Sequence, residues 1–309
     1  MPYAGGPLAS TERRNERTRD IDLASPLERL QLLNAEDATV ASAVAAVLPV
    51  LAQVVAEATA RVRAGGRVHY FGAGSSGRIG VLDAAEVVPT FGVPPGVFVA
   101  HQAGGDAAVT KAAEGAEDAE PLGAQAAAGL TAADVAVGLS ASGSTPYVGG
   151  ALRAAAAAGA LTVLVSSNPA APLAQYARFC VLPDTGPEAI AGSTRLKAAT
   201  AQKMVLNSLS TAVMIGLGRT YSNLMIGLAG TNEKLRRRQV LILAEASGAG
   251  EAACRSELER CGGDLRLALV CLLAGVGPPE AASLLAASGG NVRTALATAA
   301  ETGRPGPAA

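Results

Sequence analysis

The chain has no tryptophan, and only 3% of its residues are aromatic. Platforms that stack the bases of single-stranded nucleic acid are built from such side chains, so that class of function has no support here. An excess of one charge is missing too: 25 Lys and Arg stand against 26 Asp and Glu, a net charge of −1. A protein that grips a phosphate backbone needs a basic excess. Zinc-site material is scarce. There are two histidines, His69 and His101, and four cysteines, none in a CxxC pair. No metal site is expected from them. Cys180, Cys254, Cys261 and Cys271 read as free thiols in a reducing compartment.

Long apolar runs are almost absent. The opening residues, MPYAGGPLASTERRNERTRDIDL, hold no signal-peptide core, and their arginines are interleaved with acids, unlike a transit peptide. One uncharged stretch, residues 38–56, contains Thr39, Ser42, Pro49 and Gln53. It reads as a buried helix pair kinked at Pro49, not as a membrane span. The expectation is a soluble, cytoplasmic protein with no nucleic-acid or membrane partner.

What is present is ordered along the chain. Half of the residues are hydrophobic, enough for one large core and a small second one. Residues 1–23 read as a polar arm and 26–64 as helices that Gly65-Gly66 stops. Five short apolar runs follow, at 67–72, 96–101, 134–140, 161–167 and 178–184, with Ala-rich segments of helical length between them. That alternation implies parallel strands with helices on both faces, an α/β/α sandwich around a five-stranded sheet. Continuous apolar runs suit strands buried on both sides. From Ser193, a plausible N-cap, to about Leu217 the pattern is one long helix, with Leu196, Met204, Leu206 and Leu209 toward the sheet. Beyond residue 233 no strand run occurs. There GGDLRLAL (262–269) echoes GGNVRTAL (289–296), each Gly pair ending a helix and each Asp or Asn capping the next. The expected domains are residues 1–56, an arm and helices; 57–232, the sheet domain; and 233–309, a helical domain with a disordered tail, GRPGPAA.

Function is sought at the carboxyl ends of the strands, where open parallel sheets bind ligands. After the first strand comes FGAGSSGRIG (71–80), which contains the GxGxxG of dinucleotide binders. That reading needs an acid at the end of the second strand, about 20 residues on, to hold the ribose. The second strand ends Val99-Ala100-His101-Gln102, so the dinucleotide reading fails. After the third strand comes Ser140-Ala141-Ser142-Gly143-Ser144-Thr145, then Pro146 at a helix start. Hydroxyls and free N–H groups at a helix N-terminus make a neutral anion cradle. Gly74-Ser75-Ser76-Gly77 makes a similar one, and Ser166-Ser167-Asn168 adds a third hydroxyl-rich loop. Ser and Gly are ordinary turn residues. Two cradles on one sheet edge nevertheless point to a phosphorylated polyol, a sugar phosphate.

Paired GxGxS and SxSGxT loops resemble the sugar isomerase (SIS) domain. TERRN (11–15), GAGSSGRIGVLDAAEVVPTFG (72–92), EGAED (114–118), GSTRLKAATAQK (192–203) and TNEKL (231–235) resemble N-acetylmuramic acid 6-phosphate etherases over nearly the whole chain. The resemblance implies a SIS fold with helical extensions, a homodimer, no cofactor, and cleavage of a lactyl ether to N-acetylglucosamine 6-phosphate and D-lactate. Such chemistry needs a base for C2–H beside an open-chain aldehyde and an acid for the ether oxygen. Two carboxyl groups can divide these tasks without a metal. The resemblance makes Glu86, in Asp83-Ala84-Ala85-Glu86, the acid. Apolar neighbours argue for burial and a raised pKa there, and Pro89-Thr90 closes the segment. Residue chemistry leaves Glu114, Glu117 and Asp118 open as the base; the motif match picks Glu117. Ser75, Ser76, Ser140, Ser142 and Thr145 are the expected phosphate ligands, with Lys197 or Lys234 adding positive charge. His101 reads as a strand-end hydrogen-bonder. Ser144 stands where the resembling proteins often have Arg. Two other classes share the architecture: the longer glucokinase regulatory proteins, which bind sugar phosphates without catalysis, and aldose–ketose isomerases.

Overall fold

The computed structural model describes residues 10–111 and 113–301. The tail GRPGPAA lies outside them. The chain divides into two compact units, Met1–Ala85 with Gly96–Ser210, and Glu86–Pro95 with Thr211–Ala309. Two helices, α3 and α7 below, run from one unit into the other.

The first unit opens with helices α1 (Pro26–Asp37) and α2 (Val40–Arg63). Ser25 caps α1 in a full capping box with Glu28, and Pro26 starts the helix. Strands and helices then alternate: β1 (Val68–Gly72), α3 (Gly74–Phe91), β2 (Phe98–Gln102), α4 (Ala107–Thr110), α5 (Glu120–Ala126), β3 (Val135–Leu139), α6 (Pro146–Ala157), β4 (Leu161–Val165), β5 (Phe179–Val181) and α7 (Lys197–Gly216). The five strands lie in the order β2-β1-β3-β4-β5, all parallel. Every residue of β1, β3 and β4 is buried, which is why their sequences do not alternate. Neighbours in a strand point to opposite faces. Phe71 packs with Val148, Leu152 and Leu164 in the core under α6. Tyr70, next to it, meets α3 and α7 on the other face, where its hydroxyl bonds Asp83.

Two expectations need correction. Residues 38–56 are not a buried kinked pair: α2 is one helix with Pro49 inside it. Val40, Val44, Leu51, Val54 and Ala58 are buried at helical spacing, but Leu48 is 47% exposed. By length and composition alone, Pro26–Arg63 is apolar enough to cross a membrane, and only 22% of its most apolar window is buried. One face of α2 covers the unit and the other stays open. Second, α7 begins at Lys197 rather than after Ser193. Its first N–H groups, on Lys197 and Ala198, donate to the Glu188 carboxylate at 2.9 and 3.0 Å. Glu188 does the capping that Ser193 was expected to do. Leu206 and Leu209 of α7 are fully buried as read, whereas Leu196 and Met204 are half-buried.

The second unit holds a short antiparallel hairpin, β6 (Thr220–Tyr221) with β7 (Leu224–Met225), which no apolar run announces. Five helices follow: α8 (Glu233–Ser247), α9 (Glu251–Arg260), α10 (Leu265–Ala274), α11 (Pro278–Ala287) and α12 (Val292–Glu301). They enclose a core around Leu243, Leu269, Ala281 and Ala295. The echoed motif works as read. Gly262-Gly263 and Gly289-Gly290 all take positive φ. Asp264 then accepts from Arg266 and Leu267, and Asn291 from Thr294.

Candidate active site

The strand order places a switch point between β1 and β3. The chain leaves β1 toward β2 on one side, then crosses to β3 on the other. The crevice beyond such a point is where open α/β sheets bind ligands. The two Gly/Ser segments sit there, because Gly72 and Leu139, the last residues of β1 and β3, are paired in register.

The two segments differ in build. Gly74-Ser75-Ser76-Gly77 is not a free loop but the first turn of α3. The earliest in-line bond runs from Gly77 N to Ala73 O, so the N–H groups before it have no helical partner. Ser75 and Ser76 are half-buried. Gly77 must lack a side chain: a Cβ there would lie 2.0 Å from Gln102 Oε1 and 2.6 Å from Gly72 O. The second segment is tied to itself. The Ser140 hydroxyl bonds Thr145 Oγ1 at 2.8 Å and accepts from Gly143 N at 3.0 Å. Ser142 and Ser144 hydroxyls bond at 2.8 Å. Asn168, from the third loop, donates to Ser142 O at 2.8 Å.

Glu117 stands in a single 3-10 turn, Ala116–Asp118, entered through Gly115 at φ 72°. It is exposed. Arg78, which the sequence reading passed over, holds this region to α3. Its guanidinium donates to the carbonyls of Ala108, Val109 and Lys111 at 2.9 to 3.0 Å. The result is a cavity of about 200 Å³ lined by Gly74, Arg78, Gln102, Glu114 and Glu117, among others. The first turn of α3 and the acidic EGAED segment therefore share one wall-to-wall space. Gln102 Oε1, buried in that lining, has no hydrogen-bond partner. Arg78 stands inside the GAGSSGRIG run and Gln102 at the end of the second strand, but only the fold shows what they touch.

Asp83 is the buried member of the DAAE run. Tyr70, Asn207 and Ser210 donate to its carboxylate at 2.7 to 3.0 Å. Burial raises its pKa against those donors. Asp83 thus fixes α3 to β1 and α7. Glu86, one turn further on, falls in the second unit and is exposed. The expected burial is not found. Helical spacing turns Val87 into the core, and Leu82 is 51% exposed like its neighbour, so an apolar sequence context does not enclose Glu86. Helix α3 also continues past Pro89 to Phe91.

Lys197 is fully buried and not available to a ligand. Its ammonium pairs with Glu36 at 2.7 Å. Glu36 also takes the Arg17 guanidinium, and Arg17 first, then Lys197, holds its carboxyl down at about 2. Lys234 is exposed on α8 of the second unit. His101 does bond at a strand end: its Nε2 lies 3.0 Å from His69 Nδ1. Burial lowers both histidines, His101 to about 4, so the pair is neutral. Among the described residues, the nearest approach to a metal-ligand set is Glu257, Cys261 and Cys271, buried in the second unit with ligand atoms within 4.8 Å of one another. Burial pushes both thiols up, which keeps them protonated.

Comparison with known proteins fits this geometry. A family model described as the glucokinase regulatory protein N-terminal SIS domain matches residues 50–156. A protein of Thermobifida fusca (strain YX) named N-acetylmuramic acid 6-phosphate etherase is 56% identical over 265 residues, 86% of this chain and 87% of its own. The chain belongs to the N-acetylmuramic acid 6-phosphate etherase family. A second etherase, from Pectobacterium atrosepticum, is 49% identical over 293 residues, 94% of this chain and 96% of its own. Among solved structures, a phosphoheptose isomerase from Francisella tularensis matches 62% of this chain and 100% of its own, at 17% identity and a TM-score of 0.48. Relatedness to the etherases thus extends across both units, beyond the sheet that a SIS domain alone would explain.

Proposed function

We propose that this chain cleaves the D-lactyl ether of N-acetylmuramic acid 6-phosphate, giving N-acetylglucosamine 6-phosphate and D-lactate. The observation that carries the reading is the cavity shared by the first turn of α3 and Glu117, in a chain of the etherase family. The phosphate is held by neutral donors: the free N–H groups at the start of α3, Ser75 and Ser76, with Ser140, Ser142 and Thr145 across the switch point. Opening of the sugar ring puts an aldehyde at C1 and acidifies C2–H. Glu117 removes that proton. Glu86 gives a proton to the ether oxygen at C3 as lactate leaves. Water then adds to C3 of the unsaturated aldehyde, and C2 is reprotonated. Lys234 is the remaining lysine proposed to add positive charge. Each step is acid–base chemistry that two carboxyl groups supply.

The protein acts in the cytoplasm as a homodimer. Leu23 just before α1, Leu27 and Leu30 on α1 and Leu48 on α2 are exposed, and a second copy is the occupant proposed for them. A membrane is the weaker reading, since Glu36 within that stretch is locked to Lys197 and the opposite face of α2 is core.

The test is release of D-lactate from N-acetylmuramic acid 6-phosphate by the purified chain. In Glu86→Gln, release should stop while the C2 hydrogen still exchanges with solvent. Tight binding of hexosamine 6-phosphates without lactate release would replace this reading with that of a non-catalytic sugar-phosphate regulator.

A further inference from the structure

The substrate proposed above carries two anions, the phosphate and the lactyl carboxylate. The cradles that face the switch point are neutral. Three cations of the first unit are already engaged, Lys197 and Arg17 by Glu36 and Arg78 by three carbonyls, while Lys111 and Arg195 are exposed. Ser144 offers only a hydroxyl.

The N-terminal arm adds two arginines on a backbone that is itself held in place. It is pinned along the ligand edge of the sheet at four points. Ser10 Oγ donates to Ser167 O at 3.2 Å. Gly192 N donates to Thr11 O at 3.2 Å. Asn15 Nδ2 donates to Pro187 O at 3.3 Å, and Thr18 Oγ1 to Ala189 O at 2.7 Å. Ser10, Thr11, Asn15 and Thr18 are all buried. The first of these anchors leads straight to the second cradle, because Ser167 N donates to Ala141 O at 3.1 Å. Between the buried anchors the arm presents Glu12, Arg13 and Arg14, all exposed. Among the described residues, no side-chain hydrogen bond or ion pair holds either guanidinium. Ordering each residue of such a polar arm costs about 1–2 kcal/mol of backbone entropy. The anchors offset that cost, and the two guanidiniums between them take no part in the anchoring.

We propose that Arg13 and Arg14 form the subsite for the lactyl carboxylate of the substrate, the arm being the device that holds them on the ligand edge of the sheet. This assignment rests on the etherase reading above. A guanidinium matches a carboxylate in two parallel hydrogen bonds and stays charged at every working pH. The product N-acetylglucosamine 6-phosphate keeps the phosphate and lacks the carboxylate, so the two ligands separate the subsite from the rest of the pocket.

The experiment is calorimetric binding of both compounds to Glu86→Gln, with and without Arg13→Gln and Arg14→Gln together. The expected result is at least about a tenfold loss of affinity for N-acetylmuramic acid 6-phosphate. Affinity for N-acetylglucosamine 6-phosphate and the melting temperature should not change. Unchanged affinity for the lactyl compound, or an equal loss for both compounds, would overturn the assignment. Lactate release by the otherwise unaltered chain, measured alongside, reports separately on the functional reading: its absence would remove the reaction, while the affinity difference would still decide what the arm binds.

Discussion

Two regions of the first unit use the same residue types in opposite ways. At the start of α7, Glu36, Glu188 and Lys197 are buried and satisfied: two carboxylates, one ammonium and two helix N–H groups answer one another. At the mouth of the cavity, Glu114 and Glu117 are exposed beside a helix turn whose N–H groups are free. The first region holds structure together and has nothing left to offer a ligand. The second contributes little to the fold and keeps its groups available. Charge in a sequence motif therefore does not identify a site; burial and partners do.

The sharpest way to break this contrast is to neutralise one acid in each region. Glu117→Gln should lower kcat by about 10²–10⁴-fold, the usual weight of a general base, with the melting temperature unchanged. A matching loss of stability would place Glu117 in the structural class instead.

Glu36→Gln should do the reverse. It leaves Lys197 buried without its partner, at a cost of about 3–5 kcal/mol in denaturant unfolding, while KM of the folded enzyme stays put. Replacing both, as Glu36→Gln with Lys197→Met, should recover part of that loss. No recovery would mean that the ammonium is not what the pair serves.

Ser142→Ala tests the middle ground, a hydroxyl bonded within its own loop at the carboxyl end of β3. Loss of one hydrogen bond to a phosphate should raise KM by the equivalent of about 1.5–3 kcal/mol. An unchanged KM would assign Ser142 to loop structure alone.

The smallest effect concerns the neutral His69–His101 pair. Unfolded histidine titrates near 6.5, and His101 in the fold near 4. Between those values the unfolded chain binds more protons, so stability should fall as pH drops through that window. His101→Phe should flatten the fall, measured as the urea midpoint at pH 7 and pH 5.

The same contrast explains what could be read from the sequence. The sheet was legible because β1, β3 and β4 are buried on both faces and so are apolar at most positions. The cradles were legible because tight strand-to-helix turns need Gly and Ser. The Asp264 and Asn291 caps were legible because capping is local. Partnerships across long separations were not. Nothing near GSTRLKA announces that Lys197 meets Glu36, 161 residues earlier in the chain. Nothing near Pro187 shows that Glu188, not Ser193, caps α7. The exposure of Glu86 was misread because apolar neighbours in sequence spread around a helix instead of enclosing one residue.

The central claim, elimination followed by water addition, is tested most directly in D₂O. N-Acetylmuramic acid 6-phosphate is incubated with the chain, and deuterium at C2 of the N-acetylglucosamine 6-phosphate product is counted against D-lactate released. The account predicts one deuterium at C2 for each lactate. Lactate released with the original hydrogen still on C2 would contradict it, because no base would then have taken that proton.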